Sequence, residues 1–312
     1  LQTTNPNSQR RNNLAVLARA IWKKPGISRR ELVERFDIDE SSVSRLVALL
    51  LEMGLVESSG VIEGNVTTGI STGGRRRIAL KIAASYGQVW GLTLWRDQVR
   101  VTLVDIQGEP LKTAEYHLGP YAGNWIDYFQ RALGLAVNLA AEVCPQLPLL
   151  GIGFAVPGWV DSETATIRYS DEFGLVEQVC PQFWNSDFPV LWENDANCGA
   201  WCGLDKQESS ADEIFVLGRF LEQGPMGLPS ELSIGFGLII DGKVFRGWRH
   251  KAGEFLSALW NPGHINPFGV PDETFGRSRT DSEAFLSTVT DLVRNLRFAT
   301  QFLDPRQIHL GG

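Results

Sequence analysis

Apolar residues recur at helical spacing through the first fifty positions, and further along the chain the period changes to two. Leu14, Leu17, Ala18 and Ile21 predict a helix from Gln9 to Lys24, stopped by Pro25-Gly26, with the first eight polar residues frayed. Ser28-Arg29-Arg30-Glu31 is a capping box, in which the serine and the glutamate three residues on satisfy each other's backbone amides. Leu32, Val33 and Phe36 then form the inner face of a short second helix. Asp37-Ile38-Asp39 turns the chain, and Asp39 caps a third helix to about Met53 that carries Val43, Leu46, Val47 and Leu50 inward.

The outer face of that third helix opens with Glu40, Ser41, Ser42, Ser44 and Arg45. Short polar groups with one arginine, at the start of a helix that follows another, suit a reader of the DNA major groove, where base edges meet the N-terminal half of the helix. Gly54-Leu55-Val56-Glu57 begins a strand, a Gly/Ser/Thr-rich tip follows, and Gly73-Gly74-Arg75-Arg76-Arg77 leads back into Ile78-Ala79-Leu80-Lys81-Ile82. Three helices and a hairpin read as a winged helix-turn-helix over residues 1–82. Ser41, Ser42, Ser44 and Arg45 are the candidate base readers, and Arg75 and Arg76 the candidate phosphate or minor-groove contacts. Three arginines in a row are more often a solvated face; the helices before them give the run its meaning.

Beyond Tyr86 the alternation is that of strands. Residues 88–94 and 98–105 flank a turn, Gly108-Glu109-Pro110 begins a third strand, and a helix runs from about Gly123 to Cys144. Leu149 to Val156 is a buried strand ending in Pro157-Gly158, a turn suited to the wall of a ligand cleft. A strand ending at Trp192 runs into Glu193-Asn194-Asp195-Ala196-Asn197 and a small-residue helix. Asp195 there either caps the helix or faces a cleft as a base or hydroxyl acceptor. Residues 213–218 and 232–242 start a second meander, residues 292–302 are helical, and residues 308–310 form one more strand. Two meander-and-helix halves predict an α/β body over residues 83–312, duplicated around a cleft.

Net charge is -7 over 312 residues, which argues against indiscriminate nucleic-acid binding by the whole chain. The charge is uneven: residues 1–80 hold 12 Lys and Arg against 8 Asp and Glu, the remainder 17 against 28. A basic head on an acidic body directs only the head to an anion. Cys144, Cys180, Cys198 and Cys202 form no CxxC pair; Cys198 and Cys202 share a helix face but are read as small buried side chains, not metal ligands. No run approaches the ~20 apolar residues of a membrane span, and the expectation is a reduced, cytoplasmic protein.

With these motifs in order, the chain resembles the ROK family of repressors and sugar kinases. The resemblance rests on Gly73-Gly74-Arg75-Arg76 as wing, Gly151 to Asp161, Glu193 to Asn197 as sugar motif, Ala252-Gly253-Glu254, and Leu303-Asp304-Pro305 through Gly311-Gly312. It implies an α/β, actin-like sugar-kinase (ribonuclease H-like) body, with Pro157, Gly158, Asn194, Asp195 and Glu254 around a sugar. It also implies that the family's pattern continues past Gly312. The departures carry as much weight. Thr93, Trp95 and Arg96 stand where family kinases keep an aspartate and two glycines for ATP phosphates and metal, and Glu231-Leu232-Ser233 stands at the second phosphate loop, with Glu231 expected to repel a polyphosphate. Ser257 occupies the position of a zinc-binding histidine, no cysteine follows Cys202, and His264 and His309 are ordinary loop or surface histidines.

These features predict a DNA-binding regulator, a homodimer or higher homo-oligomer and a repressor of carbohydrate uptake or catabolism genes, with no cofactor, no metal and no catalytic residue, bound to a duplex operator and a sugar or sugar-phosphate effector. Two alternatives remain: a sugar kinase with a DNA-binding head, for which Asp195 is the base, and a regulator answering to a protein partner, with Trp184 and Trp201 as anchors.

Overall fold

The computed structural model describes residues 6–36, 38–62, 77–119, 121–181, 188–203, 211–221, 226–228 and 231–312. Its contacts fall into two compact units, one of residues 1–90, 102–112 and 140–150, the other of residues 91–101, 113–139 and 151–312.

The first unit opens with α1 (Pro6–Lys23), α2 (Arg29–Phe36) and α3 (Glu40–Glu52), followed by β1 (Val56–Ile62) and β2 (Arg77–Ile82). Helix α1 starts three residues before the apolar pattern does, at Pro6, whose fixed φ and missing N–H suit a first helical position. The capping box forms as read: the amide and hydroxyl of Ser28 donate to Glu31 at 2.9 and 2.8 Å, and the Glu31 amide donates back to Ser28 Oγ. Strands β1 and β2 pair antiparallel from Val56↔Ile82 to Ile62↔Arg77, and Ile27 bridges to Leu80 as a short third strand. Leu17, Ile21, Leu32, Val43, Val47 and Leu80 are sealed in the core. Ile106, between the second and third body strands, packs on this same core, and its carbonyl accepts the Trp22 indole N–H at 2.9 Å. Gln107 Nε2 donates to the carbonyl of Ile82 at 2.7 Å. The wing tip, with Arg75 and Arg76, lies outside the described residues, as does Asp37.

The body elements are β3 (Gln88–Leu94), β4 (Gln98–Asp105), β5 (Pro110–His117), α4 (Trp125–Val143) and β6 (Leu149–Val156), then β10 (Val190–Asn194) and α5 (Asp195–Gly203). Between them β7 (Trp159–Asp161), β8 (Thr166–Ser170) and β9 (Leu175–Val179) form a small antiparallel sheet that the apolar pattern did not announce. The second half comprises β11 (Glu213–Leu221), β12 (Glu231–Ile240), β13 (Lys243–Val244), α6 (Asp272–Phe275), α7 (Ser282–Leu303) and β14 (Gln307–Gly311).

The two larger sheets run β10-β6-β3-β4-β5 and β13-β12-β11-β14. In each, a three-strand meander is followed by a long helix and a strand placed beside the first of the meander. Strand β14 is parallel to β11, and β10 is parallel to β6. The internal duplication read from the chain is therefore a duplication of topology. In the second unit an aromatic cluster fixes the strand that carries the Glu193–Asn197 motif: Trp192 stacks on Phe154 with ring centres 4.3 Å apart and lies 6.1 Å from Trp125.

Candidate functional site

The first candidate surface is the N-terminal end of α3. Asp39 takes the Ser42 amide at 2.8 Å and the Ser41 hydroxyl at 2.6 Å on one carboxylate oxygen, and these donors hold its pKa down to about 2. Arg45 reaches back to Ser42 Oγ at 3.2 Å. Ser41, Ser44 and Arg45 are exposed, whereas Ser42 is half-buried and its polar atoms belong to the cap and to Arg45. Beside them lies an open groove of about 760 Å³ lined also by Gln9, Arg10 and Asn13 of α1. The apolar pattern gave no reason to single out these three, because they sit on the polar side of α1.

The second surface is built where β10 enters α5. Asn194, not Asp195, is the helix cap: its Oδ1 accepts the Asn197 amide at 3.0 Å. Its Nδ2 donates to the Gly158 carbonyl at 3.0 Å and to Asp195 Oδ1 at 3.2 Å, so the amide has one acceptor lone pair left for a ligand. Gly158 has φ +116°, and a Cβ there would lie 2.2 Å from the Tyr169 carbonyl, so only glycine fits the turn. Beneath sits Glu193, unmentioned among the candidates yet the hub of the motif. Its buried carboxylate accepts Asn197 Nδ2 at 3.0 Å, Ser162 Oγ at 3.0 Å and Arg246 Nε at 2.9 Å, with a second bond from Arg246 Nη2.

Asp195 is half-buried, and burial raises its pKa while Arg219 and the Ala196 amide pull it back. Glu254 follows Gly253, which has φ +94° and sits so close to the Phe236 carbonyl that no side chain fits. That contact carries a bond, Phe236 N to Gly253 O at 2.8 Å, which places Glu254 opposite Gly235 of β12. Protein crowding around Glu254, then the negative charge of Asp195, push its carboxyl up to about 7, against the Trp159 side chain and Lys251. Two carboxyl groups that sense each other, one of them near neutral pH, can both accept and donate to hydroxyls.

A raised carboxyl pKa favours the protonated form in the folded chain. Stability contributed by Glu254 is therefore greatest at low pH and falls between about pH 4.5 and 7. Glu254→Gln is expected to raise the unfolding midpoint at pH 8 and leave it unchanged at pH 4. Because solvent reaches the side chain, we expect on the order of 1 kcal/mol. Equal midpoints of both proteins at pH 8 would contradict the assignment.

The positions aligned with ATP-phosphate loops are filled from within. Trp95 is buried, with the guanidinium carbons of Arg100 and Arg219 at 5.0 and 4.8 Å from its ring centre. Its backbone carbonyl accepts the hydroxyl of Tyr128. Arg219 pairs with buried Glu172 at 2.6 Å, and the Arg96 amide donates to the other oxygen of Glu172 at 2.7 Å. Glu231 does not face outward to repel a phosphate. It is fully buried and accepts the amides of Met226 and Leu228 at 3.2 and 3.0 Å, because two backbone donors compensate its desolvation. This residue set does not fit ATP and magnesium.

Nor does the segment after Glu254 fit a zinc ion. Among the described residues no three His, Cys, Asp or Glu side chains gather in a metal-holding group. Buried Ser257 donates to Asp291 Oδ1 at 3.0 Å, the Gly269 amide donates to Asp291 Oδ2 at 2.8 Å, and Asn295 Oδ1 accepts the Ala258 amide at 2.8 Å. Asn266 ties its own turn to Asp272 at 2.6 Å, and Phe255, Phe268 and Phe275 pack together beneath. His309 is bound, at 3.1 Å from Glu213 Oε2, and Trp201 is half exposed; Trp184 lies outside the described residues.

A family described as winged helix-turn-helix DNA-binding matches residues 10–57. The xylose repressor of Caldicellulosiruptor bescii is 28% identical over 253 residues, which is 78% of this chain and 57% of the repressor. A crystal structure of a ROK family transcriptional regulator, a homologue of the E. coli MLC protein, covers 96% of this chain and 83% of its own, with a TM-score of 0.69 at 17% identity. The head matches a winged helix-turn-helix family, and the chain shares its fold with a ROK family regulator. A ROK glucokinase from Streptomyces griseus, solved with glucose and AMPPNP, shares the fold at TM-score 0.51 and 17% identity over 72% of this chain and 83% of its own. The chain spans little more than half the length of the curated repressor it matches. Among its described residues no helix is long and apolar enough to cross a membrane.

Proposed function

We propose that this chain is a sequence-specific transcription regulator, a repressor of carbohydrate uptake or catabolism genes, whose ROK body binds a sugar-class effector and transfers no phosphoryl group. The observation that carries the second half is the plug of Trp95, Arg219 and Glu172 at the position of the phosphate loops. The first half is supported by the exposed polar start of α3 on a sealed three-helix core. Ser41, Ser44 and Arg45 read base edges, with Ser42 holding Arg45 in place. Arg75 and Arg76 contact phosphate or the minor groove, and a homodimer presents two heads to a pseudo-palindromic operator. Asp195 and Glu254, on the scaffold of Asn194 and the Pro157-Gly158 turn, bind sugar hydroxyls.

Selection of bound fragments from the source genome at fixed salt, with and without a sugar mixture, tests this. Enrichment of a twofold-symmetric site, altered by sugars, is the expected result; no enrichment sinks the reading. On the selected site Arg45→Ala is expected to lose about 1–3 kcal/mol and relax preference at one base position. An unchanged preference would remove Arg45 from the reading face.

The alternative of a protein-partner-controlled regulator is favoured by one observation, the half-exposed Trp201. It predicts selection of an operator that no sugar alters.

A further inference from the structure

A separate cavity of about 130 Å³ lies beside the Trp95 plug. Five separate stretches of the second unit supply its polar wall: Arg96 and Asp97 in the β3–β4 turn, His117 at the end of β5, Glu172 after β8, Arg219 of β11, and Arg279 ahead of α7. Three guanidinium groups meet two carboxylates there, and one of these carboxylates is already saturated. Glu172 gives one oxygen to Arg219 Nη2 at 2.6 Å and the other to the Arg96 amide at 2.7 Å, while Arg96 Nη1 reaches the Glu172 carbonyl at 3.5 Å. Arg219 is thereby held in one orientation before any ligand arrives, with 14% of its side chain accessible.

Size selects among anions. Pockets for organic ligands span roughly 300–1,000 Å³, and a water occupies about 30 Å³. A space of 130 Å³ accepts a tetrahedral oxyanion, alone or as the phosphoryl end of a larger molecule. Planar guanidinium forks match phosphate oxygens in pairs, which a point charge does not.

We propose that this cavity is a binding site for a phosphate-sized oxyanion, held by Arg96, Arg219 and Arg279. The occupant is either inorganic phosphate or the phosphoryl group of a phosphorylated sugar. The site stands apart from DNA reading and from the hydroxyl-facing pair Asp195 and Glu254, so its test needs neither operator nor gene context.

The measurement is calorimetric titration of the full chain with sodium phosphate, ionic strength held constant with sodium chloride. Saturable binding is expected, weakened at least about tenfold in Arg96→Gln/Arg279→Gln. Arg279→Gln alone, an exposed position that leaves the Glu172 pairs intact, should weaken it in the same direction. Arg30→Gln, whose partner is Glu34 on α2 and which does not line the cavity, should bind as the parent does. Glucose 6-phosphate binding more tightly than phosphate, with glucose inert, assigns the anion to a sugar ester. Equal affinities assign it to free phosphate. Absence of saturable binding, or equal binding by parent and Arg279→Gln, overturns the proposal whatever the DNA selection shows.

Discussion

Glu193→Gln is expected to lower the stability of the body by about 3 kcal/mol, because it leaves Arg246 without its carboxylate partner in a poorly hydrated place. Only 11% of the Glu193 side chain is accessible, and Arg246 donates twice to one oxygen. The same change takes an acceptor from Asn197 Nδ2 and from Ser162. A glutamine keeps one acceptor oxygen and turns an NH2 toward the donors at the other. Asn197 is itself bonded to Asn194, so the loss spreads to the segment that presents Asp195. Thermal unfolding should show the drop, and a cycle with Arg246→Met should show strong coupling, the double variant being less destabilised than the two singles added. Additive single effects would mean that the pair is a surface contact only.

Asp291→Ala is expected to cost about 3 kcal/mol and to loosen the Ser257–Asp281 segment selectively. Asp291 is 3% exposed and accepts from Ser257, Gly269 and Asn295, so its removal strands the buried Ser257 hydroxyl and the half-buried Gly269 amide at once. Hydrogen exchange should accelerate at the Gly269 and Leu259 amides while amides of β11 and β12 stay protected. The complementary expectation is indifference to chelators: dialysis against EDTA leaves the unfolding midpoint of the parent unchanged. A chelator-dependent midpoint would show that a metal, not this network, holds the segment.

What could be read from the chain follows the range of each interaction. The Ser28–Glu31 box and the Asp39 cap close within three residues, so residue types at fixed spacing specify them. The first meander announced itself through alternation, since one face of β3 and of β4 is sealed; β3 alternates buried and half-buried along its whole length. Glu193 and Arg246 are 53 positions apart, and Glu172 and Arg219 are 47 apart; neither pairing leaves a periodic trace. Strand β9 was missed for a different reason: Val176 and Val179 are both outward and exposed, so it lacks the alternation that marks a half-buried strand. The inward turn of Glu231 escaped because its partners are backbone amides of Met226 and Leu228, which no side-chain pattern encodes. Trp95 was legible as an obstruction from its type alone, but its setting among Arg100, Arg219 and Tyr128 required the fold.

The bond from Trp22 to the Ile106 carbonyl bears on inheritance. One residue that completes the core of the helical head, Ile106, is encoded after the first two strands of the body, some eighty positions downstream of Trp22. A recombination event that exchanged heads at the short link after Ile82 would set the Ile106 side chain against an apolar seat it was not fitted to. A graft that keeps the fit therefore carries the turn at Ile106 along with the head.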